Sequence, residues 1–251
     1  LLAADGIQVN QGGWHGWTPL LVAAQDGYIA LVRLLLNNGA DVNQAAEDGS
    51  SPLLDTVQNG HIAIARLLLD HGAKVNQATR HGYTPLLIAA IKGHSPAARL
   101  LLDHGAKVNQ ATRHGWTPLL IAAKKGHAAV ARLLLGAPGI KVNQATEDGW
   151  TPLDVASRNR NNNIVALLNA CSADDKQRKR AFRTVDLAGK KAVIYYCIDI
   201  NQHLVAATLF RSLKPKDRIK LIGLIAPGVN KQYRDLQRFS LVCTKFYNAV
   251  A

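Results

Sequence analysis

The tripeptide Thr-Pro-Leu, or its near copy Ser-Pro-Leu, begins at Thr18, Ser51, Thr84, Thr117 and Thr151, in steps of 33, 33, 33 and 34 residues. Val-Asn-Gln keeps the same interval, beginning at Val9, Val42, Val75, Val108 and Val142. A fixed period of this length marks stacked supersecondary units, each too small to bury its own apolar side chains and each completed by its neighbours. A single globular core is thereby ruled out for residues 1–170.

Each copy reads as turn, helix, turn, helix, loop. In the fourth, Thr117 is suited to cap a helix, because its hydroxyl can accept from an orphan amide of the first turn. Pro118 follows at the first helical position, where its missing donor costs nothing. Leu119 to Ala123 form a short helix with small residues on one side, and Gly126 ends it by tolerating a left-handed conformation. His127 opens a second helix in which Val130, Leu133 and Leu134 fall at helical spacing. His61, His94 and His127 share one repeat position after a glycine, which argues for a structural role. His81 and His114 fall at turn tips and read as partner contacts rather than metal ligands. No carboxylate or thiolate lies at compatible ligand spacing.

Gly82 to His94 (Gly-Tyr-Thr-Pro-Leu-Leu-Ile-Ala-Ala-Ile-Lys-Gly-His) and Leu100 to Asn109 (Leu-Leu-Leu-Asp-His-Gly-Ala-Lys-Val-Asn) resemble the ankyrin repeat. The resemblance covers residues 1–170. It implies an all-α ankyrin-repeat solenoid of helix-turn-helix units with β-hairpin tips, followed here by a small helical C-terminal domain. Five repeats start near 13, 46, 79, 112 and 146. Residues 1–11 align with the end of another, since Leu1-Leu2 matches Leu34-Leu35, so the chain reads as beginning mid-unit, as a fragment would. The family has His after Thr-Pro-Leu. Here Leu21, Leu54, Leu87, Leu120 and Asp154 stand instead, so apolar packing is expected to replace that histidine's hydrogen bonds.

The resemblance further implies a concave protein-binding face made of turn tips and first-helix ends. Carried over residue by residue, it comprises Trp14, His15, Trp17, Gln25 and Asp26 in the first repeat, and Glu47, Asp48, Ser50, Gln58 and Asn59 in the second. The third supplies Arg80, His81, Tyr83, Ile91 and Lys92, and the fourth Arg113, His114, Trp116, Lys124 and Lys125. The fifth supplies Glu147, Asp148, Trp150, Arg158 and Asn159. Aromatic residues are favoured interface anchors; a ring before Thr-Pro can equally pack on the neighbouring tip. Repeats three and four make a basic centre between acidic tips, which points to a target protein with an acidic patch. No small-molecule substrate, cofactor or metal is implied.

Charge is unevenly placed. Residues 1–170 carry 14 Lys and Arg against 11 Asp and Glu, whereas residues 171–251 carry 16 against 6. A basic tail suits nucleic acid, an anionic membrane or an acidic protein. It has no recognisable groove-reading motif, which weighs against nucleic acid. Cys171, Cys197 and Cys243 are odd in number and far apart. They favour a reducing, intracellular and cytoplasmic setting over a disulfide framework. No signal peptide and no membrane-spanning apolar run is visible.

Residues 171–191 read as a basic linker or helix. Lys176 to Arg180 also fit a nuclear-localisation cluster. Residues 192–212 read either as a strand or as a degenerate repeat that caps the stack. Residues 213–251, with Leu213-Lys214-Pro215, Asp235-Leu236, Leu241-Val242-Cys243, Lys245 and Phe246-Tyr247, resemble an F-box. Lys214 splits the usual Leu-Pro opening, and Ala226 to Tyr233 is longer than the family's connection; an ordinary helical hairpin is the competing reading. The resemblance implies that Leu213, Pro215, Ile219, Ile222, Leu236, Leu241, Val242 and Phe246 dock the Skp adaptor of a cullin-RING ubiquitin ligase. The chain would then be a non-catalytic adaptor, in an arrangement resembling poxvirus proteins and effectors of intracellular bacteria that act in the host cytoplasm. A plain ankyrin module with a helical cap is the alternative. Cys197, Asp199 and His203 are the one nearby nucleophile-acid-base set, but positions 197 and 203 would diverge on a helix, which argues against an enzyme.

Overall fold

The computed structural model describes residues 8–171 and the isolated positions 186, 187, 189, 190, 213 and 217. A 3₁₀ turn at Trp14–Gly16 precedes α1 (Pro19–Asp26), α2 (Ile29–Asn37), α3 (Pro52–Asn59), α4 (Ile62–Asp70) and α5 (Pro85–Lys92). Then come α6 (Ser95–Asp103), α7 (Pro118–Lys125), α8 (Ala128–Leu135), α9 (Pro152–Arg158) and α10 (Asn162–Ala170). The first helix of every repeat starts as its sequence dictates. Thr18, Ser51, Thr84, Thr117 and Thr151 are extended N-caps whose hydroxyls accept from the amide three residues on, with proline next in line. The second helices end on side chains: Asn38 donates to the Leu34 carbonyl at 2.7 Å. His71 and His104 donate to the Leu67 and Leu100 carbonyls, each at 2.8 Å. The fifth repeat has no glycine after its first helix, so Arg160 takes the left-handed conformation there, at φ 57°.

Chain contacts divide the protein into two units, residues 1–134 with 140–164, and residues 135–139 with 165–251. In the first, α1, α3, α5, α7 and α9 pack in succession, and α2, α4 and α6 form a second row beside them. Leu21, Leu54, Leu87 and Leu120, the residues replacing the family's histidine, are fully or almost fully buried between repeats. Each such leucine contributes about 2 kcal/mol by leaving water. Asp154 is exposed and closes a capping box with Thr151, whose hydroxyl and amide both donate to its carboxylate and hold its pKa below the usual value. In the second unit, Ala170 and Cys171 are buried, and the Asp186 carboxylate accepts from the amide of Gly189.

Two polar clamps fix the translation from repeat to repeat. Asn10, Asn43, Asn76 and Asn109 accept, through Oδ1, the amides of Asp41, Lys74, Lys107 and Lys141 at 2.7–2.9 Å. The same asparagines at 10, 43 and 76 donate through Nδ2 to the carbonyls of Gly39, Gly72 and Gly105. This is the work of the Val-Asn-Gln phrase. The 34-residue step does not break it, because the extra residue falls in the Gly136–Gly139 loop after α8. The second clamp is the histidine column: His61, His94 and His127 donate back to the carbonyls of Gln25, Val57 and Ile91 at 3.0, 2.9 and 3.1 Å. Asn161 takes the histidine's place in the last repeat and donates to the Ala123 carbonyl at 2.7 Å.

One expectation is overturned. The described residues contain no β-strand, so the tips are not β-hairpins. Each tip is closed by two backbone bonds that share its opening residue: the Thr79 amide donates to the Tyr83 carbonyl at 3.0 Å while the Thr79 carbonyl accepts from the Gly82 amide at 2.9 Å, and Thr112 does the same with Trp116 and Gly115, each at 3.0 Å. Backbone bonds also join the first tip to the second, Glu47 amide to His15 carbonyl at 2.9 Å, the second to the third, Arg80 amide to Asp48 carbonyl at 3.1 Å, and the fourth to the fifth, Glu147 amide to His114 carbonyl at 3.4 Å. A ladder needs successive residue pairs, and both bonds of a tip belong to its opening residue before the chain turns into a helix. The expected C-terminal helical domain and the sequence from 192 onward, apart from Leu213 and Asp217, lie outside the described residues. Among the described residues, no helix is long and apolar enough to cross a membrane.

Gly93 shows how tightly the histidine clamp is set. It ends α5 at φ +73°, and a Cβ there would lie 2.6 Å from Nδ1 of His127. Gly93→Ala is expected to lower the unfolding free energy by about 2 kcal/mol, from left-handed strain and the displaced ring together. Adding His127→Ala should then cost less than it does alone, because the clash is gone. Urea denaturation of both single variants and the double variant reads this directly; strict additivity would show that ring and glycine are not coupled.

Candidate protein-binding face

The five tips differ in how they are pinned. In repeats three to five a threonine opens the tip and its hydroxyl accepts the amide of Tyr83, Trp116 or Trp150 at 3.2 Å. In repeat two that position is Ala46, and Asp48 accepts from the Ser50 amide and hydroxyl instead, at 2.8 and 3.0 Å. Both arrangements leave the second and third tip residues projecting. Glu47, Asp48, Arg80, His81, Arg113, His114, Glu147 and Asp148 are all exposed.

Tip rings and first-helix ends share one side of the stack. The Lys124 ammonium lies 4.5 Å from the ring centre of Trp116, and the Arg158 guanidinium 5.0 Å from that of Trp150. Such exposed cation–π contacts are worth about 0.5–1 kcal/mol and hold both partners in place. Tyr83 and Trp150 are exposed, while Trp17 and Trp116 are half-buried. Lys92 and Lys125, at the ends of α5 and α7, are exposed beside them. Arg80, Tyr83, Lys92, Arg113, Trp116, Lys124, Lys125, Trp150 and Arg158 thus lie on tips and helix ends. Trp14 differs: it belongs to the 3₁₀ turn, is 83% exposed and tilts against His15. His114, expected to face a partner, already meets Glu147 of the next repeat at 3.6 Å, as His15 meets Glu47 at 3.2 Å. Of the proposed adaptor-docking residues, Leu213 is buried, and Pro215, Ile219, Ile222, Leu236, Leu241, Val242 and Phe246 lie outside the described residues. So do Cys197, Asp199 and His203. Among the described residues no cluster of three or more His, Cys, Asp or Glu could hold a metal.

Sequence reasoning passed over Asp55. It sits in the first turn of α3 and is 6% exposed. Its Oδ2 is buried without a hydrogen-bond partner. Burial, and secondarily the nearby Asp48 charge, push its pKa up to about 7. The signal was present in the repeat register, where Val22, Ile88, Ile121 and Val155 occupy the same place. Because the folded pKa lies above the unfolded value, the native state keeps a proton that the unfolded chain releases near pH 4. The Asp55 contribution to stability is therefore full at low pH and declines as pH rises from about 4 to about 7, by on the order of 4 kcal/mol. Asp55→Asn should flatten this decline. Urea denaturation of both proteins at about pH 5 and pH 7.5 is the measurement, and parallel pH dependences would refute the assignment.

A family model described as ankyrin repeats (3 copies) matches the chain at residues 20–112, 76–146 and 109–180. No curated protein matches it. The matched span covers most of the chain and coincides with the capped helix pairs and inter-repeat clamps described above. By sequence and by packing, the chain belongs to the ankyrin-repeat family, a non-catalytic scaffold for protein–protein interaction.

Proposed function

We propose that this protein is an adaptor whose tip-and-helix-end face captures a target protein through an acidic patch seated on repeats three and four. The supporting observation is the set Arg80, Lys92, Arg113, Lys124 and Lys125. All five are exposed on two consecutive repeats, beside the rings of Tyr83 and Trp116, and none is in an ion pair among the described residues. Cations next to rigid aromatic surface suit carboxylates that arrive on an apolar backbone. Lys124, already braced on Trp116, has less side-chain freedom to lose on binding.

A finer part of the proposal concerns residues 213–251. Their F-box-like sequence supports docking of a Skp-type adaptor, which would hold target and ubiquitin ligase together at high effective concentration. In this reading the protein works in the cytoplasm, that of a host cell if it is an effector, with access to the nucleus through Lys176 to Arg180.

Two measurements test the two parts separately. Among a panel of acidic peptides, the best binder should lose at least about tenfold in affinity to Lys124→Glu/Lys125→Glu, and should weaken as salt rises. Arg99→Glu, on the second-row helix α6, should leave it unchanged; equal losses in both variants would remove the basic face as the binding site. For the tail, the full chain should retain purified Skp adaptor on a column and lose it in Leu236→Asp/Leu241→Asp. A folded full chain that retains none refutes the ligase reading and leaves the basic face standing.

A further inference from the structure

Two columns of side chains run along the stack beside the binding face. The tip column is Trp17, Ser50, Tyr83, Trp116 and Trp150, and the first-helix column is Val22, Asp55, Ile88, Ile121 and Val155. Repeat two breaks both at once. Its tip carries a two-atom polar side chain where the others carry a ring. Its helix carries a carboxylate where the others are aliphatic.

The break leaves one acceptor without a donor. Asp55 is over nine-tenths buried and its Oδ2 has no hydrogen-bond partner. A buried unpaired acceptor costs free energy that a plain structural residue would not incur, since Val or Ile fits the column. The helices packed against α3 are α1, α4 and α5. Their charged groups are Asp26 at the end of α1, Arg66 and Asp70 on α4, and Lys92 at the end of α5, all exposed and none bonded to Asp55; His61 caps α4 and is engaged with the Gln25 carbonyl. The charge that does act on Asp55 is another acid, Asp48, whose own oxygens face Ser50. Asp26, Glu47, Asp48 and Asp55 make this end of the face acidic, opposite in sign to repeats three and four.

We propose that the repeat-two surface around Asp48, Ser50 and Asp55 receives one cationic side chain, a lysine ammonium or an arginine guanidinium, of the bound protein. The inference rests on the tip-and-helix-end face being the binding face, and it adds direction: the bound segment lays its base on repeat two and its acids on repeats three and four. The incoming cation supplies the donor that Asp55 Oδ2 lacks and adds a charge opposite to that of Asp48. With its pKa near 7, Asp55 is partly protonated at neutral pH in the free protein, and pairing releases that proton to solvent.

The test follows the Asp55 carboxyl carbon by NMR in the full chain, with N-acetyl-arginine amide as probe and its uncharged isostere N-acetyl-citrulline amide as control. With the arginine probe, the Asp55 resonance should move and its titration midpoint should fall by about one unit, whereas citrulline should do neither. Asp55→Ile should abolish binding of the arginine probe while melting no lower than the parent, so loss of the response is not loss of fold. An unmoved Asp55, an equal response to citrulline, or undiminished arginine binding by Asp55→Ile overturns the proposal. Acidic-peptide binding by repeats three and four, read through Lys124→Glu/Lys125→Glu, reports on the underlying face independently.

Discussion

A pair of eight- or nine-residue helices cannot bury its own apolar side chains, and the rest of this structure depends on that shortfall. Leu54, Leu87 and Leu120 reach full burial only because another repeat closes over them. The burial itself is non-directional and would tolerate sliding. What forbids sliding is polar: the asparagine at the end of each repeat and the histidine at the turn between its helices each bond the backbone of an adjoining repeat. Hydrophobic area holds the stack together, and these directional bonds set its step.

The same division of labour shapes the binding face. Tips are held by a few bonds between threonine or aspartate and the backbone, which leaves the outer tip side chains projecting, some of them paired with the next tip. Lys124 over Trp116 and Arg158 over Trp150 then order part of that surface from within the chain. Repeat two departs from its neighbours at tip and helix together, giving up a ring and an aliphatic side chain for polar groups, one of which has no partner. That repeat carries a stability cost beside a surface whose sign opposes the basic centre.

Much of this was legible in the residues. The Thr-Pro-Leu beat located every first helix, its cap and its first turn, because capping is a local matter of one hydroxyl and the amide three residues away. The glycine after α5 could be read as a helix stop, but not as the seat of His127, since that contact joins residues 34 apart. Val-Asn-Gln could be counted but not explained, because its asparagine bonds a residue some 31 positions on. The β-hairpin tips came with the family resemblance rather than from the residues. They fail here because the backbone bonds of a tip converge on its opening residue, as in a turn, and no further residue pair extends them into a ladder.

By itself, then, the sequence determined the period, the helix pairs, the caps and the places where charge and rings would project. Periodicity and capping act within about one helical turn of the residues that encode them. Only the tertiary structure decided which of those projecting groups already have partners. His114 is met by Glu147 of the next repeat, and Lys124 by its own tip ring, while Asp55 is enclosed between neighbouring helices with an oxygen left unmatched. The physical reason is that desolvation and pairing are set by atoms brought close from other repeats, and no local pattern records which atoms those will be.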